Sequence, residues 1–127
     1  MTNVVFIPAI NSRHLNDVDS YINISKSTWK HYCDKVGAQL VIMEEPLRNP
    51  DDMKVTWQRW KVHELLTNSG IKYEKVLMVD ADTMIHWDAP NIFDIDGFSA
   101  CVDNDNIGWV KDSIIGYKKM FGSELDW

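Results

Sequence analysis

Three short apolar runs constrain this chain most: VVFI at residues 4–7, QLVIM at 39–43 and KVLMV at 75–79. The apolar character is continuous rather than alternating, which marks strands covered on both faces. The segments between them are long enough for crossovers and carry helical spacing. From residue 17 to 36, Val18, Tyr21, Ile22, Ser25, Trp29, Tyr32, Cys33 and Val36 recur at that spacing, with Asn16 as a cap and Gly37 as a left-handed stop. EEPLRNPDD, with two prolines, reads as an irregular loop. Residues 54–68 predict a second helix, with Val55, Val62, Leu65 and Leu66 on one face and Met53, Trp57 and Trp60 roughly opposite. Its aliphatic face should pack on the sheet. Its tryptophan face needs another cover: first the proline loop, otherwise a ligand or a second subunit. A helical turn at APNIFDI, a fourth strand at 98–102 and a last helix at 111–121 complete the pattern. The economical architecture is α/β, with a mostly parallel central sheet in a single domain, residues 1–127.

Composition narrows the function classes. The 127 residues are 45% hydrophobic and 25% charged, which suits one core. A net charge of −6 argues against a nucleic-acid partner, because a phosphate backbone selects a basic surface. Two cysteines give no disulfide framework, so a reducing, cytoplasmic setting is expected. MTNVVFIPAI reads as a first strand rather than a signal peptide, and no run reaches the ~20 apolar residues of a membrane span. Six tryptophans exceed what such a core readily absorbs, so those at 57, 60, 109 and 127 suggest a homodimer interface or a sugar platform. CVDNDNIG fails as a calcium loop, since Ile107 and Ile114 stand where oxygen ligands are needed. Glycine-rich phosphate loops and C-x-x-C pairs are absent from the sequence.

The third apolar run ends on two carboxylates, in KVLMVDADTMIHWDAP. In open α/β sheets ligands collect at the carboxyl ends of strands, and Asp80 and Asp82 stand at such an end. On an extended backbone, residues i and i+2 point the same way, ~6.5 Å apart. Carboxylates so placed suit one hard cation, Mn²⁺ or Mg²⁺, which takes one or two protein oxygens and completes its shell with water and phosphate. That arrangement reconciles an acidic protein with a phosphate ligand. Small Ala81 between them lets the backbone lie close to that ligand. The competing reading has Asp80 opening a turn and Asp82 capping the segment after it, with no metal.

The stretch from Trp57 to Phe93 resembles the metal-binding core of GT-A glycosyltransferases, nearest the glycogenin-like family eight and galactosyl- and mannosyl-transferase relatives. The matching pieces are Trp60-Lys61, Tyr73 to Ile85 and Asn91-Ile92-Phe93-Asp94, with HYCDKVGAQLVIM similar to the family's helix-to-second-strand segment. The resemblance spans roughly residues 3–103. It implies a Rossmann-like GT-A fold, minimal or truncated, a nucleotide-sugar donor (most often UDP-linked) and a Mn²⁺ or Mg²⁺ ion. By position it makes Asp82 the direct metal ligand and puts Asp80 on the ribose or, through water, on the ion. Pro8, Ala9 and Asn11 would meet uracil and ribose, and Lys61 a phosphate or the donor sugar.

The implied reaction is transfer of the sugar to an acceptor hydroxyl, on a carbohydrate or another acceptor, with the ion stabilising charge on the leaving diphosphate. The alternative is a nucleotide-sugar-binding module with little turnover, completed by dimerisation. The family pattern places a further metal-binding histidine well past the D-x-D block, whereas the histidines here stand at 14, 31, 63 and 86. His86 lies four residues after Asp82 and reads first as a surface histidine on a turn. A nucleotidyltransferase would share the plan but usually shows a glycine-rich loop after the first strand, which PAINSRHLN lacks.

Overall fold

The computed structural model describes residues 1–10, 18–100 and 115. The chain divides into two units, Met1–Ile95 and Asp96–Trp127. The first is a small α/β unit with three parallel strands, β1 (Thr2–Pro8), β2 (Gln39–Met43) and β3 (Tyr73–Met78), in the order β2-β1-β3. Two α-helices connect them: α1 (Val18–Val36) between β1 and β2, and α2 (Val62–Asn68) before β3.

Strand β1 is central, and its side chains divide the core. Val5 and Ile7 pack with Trp29, Tyr32 and Cys33 of α1. Val4 and Phe6 pack with Val62 and Leu66 of α2. All four β1 side chains are fully buried, so the helices cover opposite faces. This period-two division of one apolar run is what a doubly covered strand requires.

Both helices stop on a glycine, as the sequence predicts. Gly37 (φ 71°) follows α1, and Ala38 N–H donates to Cys33 O at 2.9 Å. Gly70 (φ 68°) follows α2, where Ile71 N–H donates to Leu66 O at 2.9 Å and Gly70 N–H to Thr67 O at 3.0 Å. The Ala38 and Ile71 bonds are six-to-one closures, which use a left-handed residue that a side chain would strain.

Three expectations are corrected. The helix over 54–68 is instead a 3₁₀ segment, Val55–Lys61, followed by α2. Its β-branched and aromatic residues favour the α-helix weakly. With three residues per turn, side chains three apart eclipse. One row carries Val55, partly buried, and Gln58, fully buried; another carries Trp57 and Trp60 outward. Second, those tryptophans stay 60% and 64% exposed, so the proline loop does not cover them. That loop is held by Gln58 instead: its amide accepts from Arg48 N–H at 3.0 Å and donates to Arg48 O at 2.9 Å and Met53 O at 2.8 Å. Third, residues 98–100 carry no strand and Phe98 is 98% exposed; positions 101 and 102 lie outside the described residues. Of the last expected helix only Ile115 is described, and it is helical. The expected turn near 92 is present as a 3₁₀ turn, Ile92–Asp94, capped by the Asn91 side chain.

Cys33 lies in the core, and burial, reinforced by the charge of Asp34, pushes its thiol up to about 11. In a Cys101→Ser variant, native Cys33 should therefore react with a thiol reagent at pH 8 roughly a hundredfold slower than in urea, as two pKa units imply. Equal rates would place Cys33 at the surface. Gln58→Leu should cost about 1–3 kcal/mol in urea unfolding, because three backbone groups lose their partner. A loss below about 0.5 kcal/mol would mean the loop holds itself.

Candidate functional site

Adjacent strands β1 and β3 belong to connections that leave the sheet in different directions. Chain order runs from the centre to β2, then back across to β3. The carboxyl ends of β1 and β3 therefore flank a point where strand order reverses, the usual place for ligands in open α/β sheets. Phe6 pairs with Met78, and Val79 N–H still donates to Phe6 O at 3.0 Å. The pairing thus runs to the edge of the D-A-D block.

The block itself is a turn. Thr83 N–H donates to Asp80 O at 3.2 Å, and the Thr83 hydroxyl donates to the same oxygen at 2.6 Å. The extended i, i+2 geometry expected for Asp80 and Asp82 is replaced, because β3 pairing ends before Asp80. Asp80 opens the turn, as the competing reading required. Asp80 and Asp82 are exposed, and Ala81 packs against the cluster that contains Ala9. The β1 tip and the carboxylate turn thereby share one apolar floor.

Helix α1 holds the loop that follows. The Trp29 indole N–H donates to Thr83 Oγ1 at 3.1 Å, and Ile85 N–H donates to Thr28 Oγ1 at 3.3 Å. Tyr32 hydroxyl donates to Pro90 O at 3.0 Å and accepts from Ile92 N–H at 2.8 Å. Lys35 Nζ donates to Trp87 O at 3.3 Å and Ala89 O at 2.9 Å. Positions 28/29, 32 and 35 share one helix face, so a single row fixes irregular backbone from 83 to 92. His86 stays exposed; its Nδ1 accepts from Asp88 N–H at 3.1 Å.

The remaining expected residues are distributed as follows. Pro8 ends β1 opposite Met43, and buried Ala9 donates its N–H to Met43 O at 2.9 Å. Asn11 lies outside the described residues, as do Trp109 and Trp127. Lys61 pairs with Glu64, its Nζ 3.6 Å from Glu64 Oε2. Glu64 also takes Arg48 Nη2 at 2.6 Å, and hydrogen bonding from Arg48 holds its carboxyl below the usual range. The cation that reaches the carboxylate tip is Arg59, with Nη1 2.7 Å from Asp80 Oδ1. The sequence points to Lys61 and leaves Arg59 ambiguous; the 3₁₀ winding instead pairs Arg59 with Asp80 and Lys61 with Glu64. The sequence does not reveal the part played by Thr28 and Trp29, whose partners Ile85 and Thr83 lie more than fifty residues away, and Thr83 bonds Asp80 within the turn.

Asp80 and Asp82 offer carboxylate oxygens of the kind that Mn²⁺ or Mg²⁺ takes, and both are reachable from solvent. Among the described residues no group of three or more His, Cys, Asp or Glu is gathered. Two carboxylates satisfy the protein share of such an ion when phosphate and water complete it. The donor set fits. A groove of about 520 Å³ lies elsewhere, between α1 and the edge of β2, lined by Lys26, Lys30, Cys33, Gln39, Leu40 and Glu44. It holds a buried, neutral thiol and none of the residues at the β1 and β3 tips, so chemistry favours the tips over this concavity.

Comparison of the chain with models of known protein families, with curated proteins and with solved structures finds no match. Among the described residues no helix is long and apolar enough to cross a membrane.

The Arg59–Asp80 pair is partly exposed on both sides, and such pairs contribute about 0–1 kcal/mol. Arg59→Ala is expected to change the unfolding free energy by less than about 1 kcal/mol in urea. A loss above about 2 kcal/mol would make the pair a structural fixture.

Proposed function

We propose that this chain is a metal-dependent glycosyltransferase of the GT-A type, binding a nucleotide-sugar donor, most often UDP-linked, at the tips of β1 and β3. One observation carries the reading: a turn bearing two exposed carboxylates sits beside the β1 end, at the reversal of strand order. The D-A-D block and its flanks, similar to the family-eight core, support the same assignment.

Asp82 and Asp80 would hold Mn²⁺ or Mg²⁺, and the ion would supply Lewis-acid stabilisation of charge on the leaving diphosphate. The chain's own groups bind and orient. Pro8, Ala9 and Ala81 would form the apolar floor against which the nucleotide lies. Arg59, already at Asp80, would supply a cation for the diphosphate, and Lys61 stands two residues further along the same segment. Preorganised cations beside a developing negative charge lower the barrier because they need no reorientation. The acceptor hydroxyl then attacks the anomeric carbon, and its proton leaves to solvent or to a base on the acceptor side.

One observation favours a second reading, a nucleotide-sugar-binding module with little turnover. Asp80 already carries Arg59 at 2.7 Å, so the turn is partly neutralised without an ion.

Thermal unfolding with UDP, with and without Mn²⁺, separates these readings. UDP plus Mn²⁺ at a hundredfold excess over Kd should stabilise the fold by ~2.7 kcal/mol. Asp82→Ala should remove the metal-dependent part. Equal stabilisation of the variant takes Asp82 out of the site. Stabilisation without UDP release from any UDP-sugar favours the binding module.

A further inference from the structure

We infer that the Thr83 hydroxyl, oriented by the Trp29 indole, is the positioning group that sets the carboxylate turn for a divalent cation and a nucleoside diphosphate. This rests on the reading of the site given above. An indole N–H can only donate. Thr83 Oγ1 therefore accepts from Trp29 at 3.1 Å, and its single proton is left for Asp80 O at 2.6 Å. The hydrogen-bond chain from Trp29 through Thr83 to Asp80 has one possible direction.

Its end point matters. The Asp80 carbonyl belongs to the peptide plane joining Asp80 to Ala81. Two donors from Thr83, the hydroxyl and the N–H at 3.2 Å, fix that plane. A fixed plane sets the stems from which the Asp80 and Asp82 carboxylates project. The following residues are tied to the same helix, since Ile85 N–H donates to Thr28 Oγ1 while Thr28 donates to Ser25 O at 3.0 Å. Consecutive residues of α1 thus hold the turn at its close and just beyond. Trp29 is itself buried and meets Tyr32 edge-on at 5.7 Å, so the indole cannot drift. Thr83 touches no ligand in this scheme; it acts through the Asp80 backbone.

Loss of a partner that orients a metal ligand typically costs 10–100-fold in metal affinity. The test is calorimetric titration of Mn²⁺ into protein with saturating UDP, on wild type, Thr83→Val, Thr83→Ser and Trp29→Phe. Melting temperatures without ligand accompany each protein. Thr83→Val keeps the shape and removes the hydroxyl, so its Mn²⁺ affinity should fall at least about tenfold. Thr83→Ser should restore it to within about twofold, and Trp29→Phe should weaken binding in the same direction. If Thr83→Val does not fold, Trp29→Phe against Thr83→Ser decides. Unchanged affinity in Thr83→Val or Trp29→Phe overturns the inference and leaves the site standing. Failure of Thr83→Ser to rescue also overturns it, because side-chain size rather than the hydroxyl would then be at work. No Mn²⁺–UDP binding by wild type overturns the reading of the site and this inference with it.

Discussion

Strand β1 is apolar on both faces, and a strand of that kind is stable only when something covers each face. Val5 and Ile7 require one helix and Val4 and Phe6 another. Placing β2 on one side and β3 on the other follows from this demand, since each crossover delivers its helix to a different face. The reversal of strand order beside β1 is thus a consequence of burying four side chains. The crevice where ligands gather in such sheets comes from the same packing.

Helix α1 does more than cover a face. Thr28, Tyr32 and Lys35 of its row supply hydrogen-bond partners to backbone between residues 85 and 92, and Trp29 to the Thr83 hydroxyl, in a segment with little regular structure of its own. Backbone polar groups near a core need partners, and a loop without a ladder must find them on side chains. Here the helix face serves as a template for the loop. The D-A-D turn gains a defined shape from a helix that precedes it by fifty residues.

Charge at the tips is sorted by local winding. Across the 3₁₀ segment Val55–Lys61, neighbouring side chains diverge by about 120°. Arg59 reaches Asp80, whereas Lys61 turns to Glu64, which Arg48 also holds. One cation thus stands at the carboxylate turn and another belongs to the anchor of the proline loop.

Apolar runs, helical spacing and glycine stops by themselves determined the three strands, α1 with its glycine stop, the aliphatic face of α2 and a helical turn within APNIFDI. Each is specified by residues close in sequence, so burial on a fixed period leaves few alternatives. The place of Asp80 and Asp82 just past the third strand was also legible, because charge ends an apolar run. Tertiary structure decided the rest. Gln58 became the buried clasp of the proline loop, Arg59 rather than Lys61 became the neighbour of Asp80, and the D-A-D block became a turn held by Trp29 and Thr83. These outcomes depend on hydrogen-bond partners brought together by folding. A side chain's donor capacity can be read from sequence, but the acceptor it meets is set by three-dimensional packing.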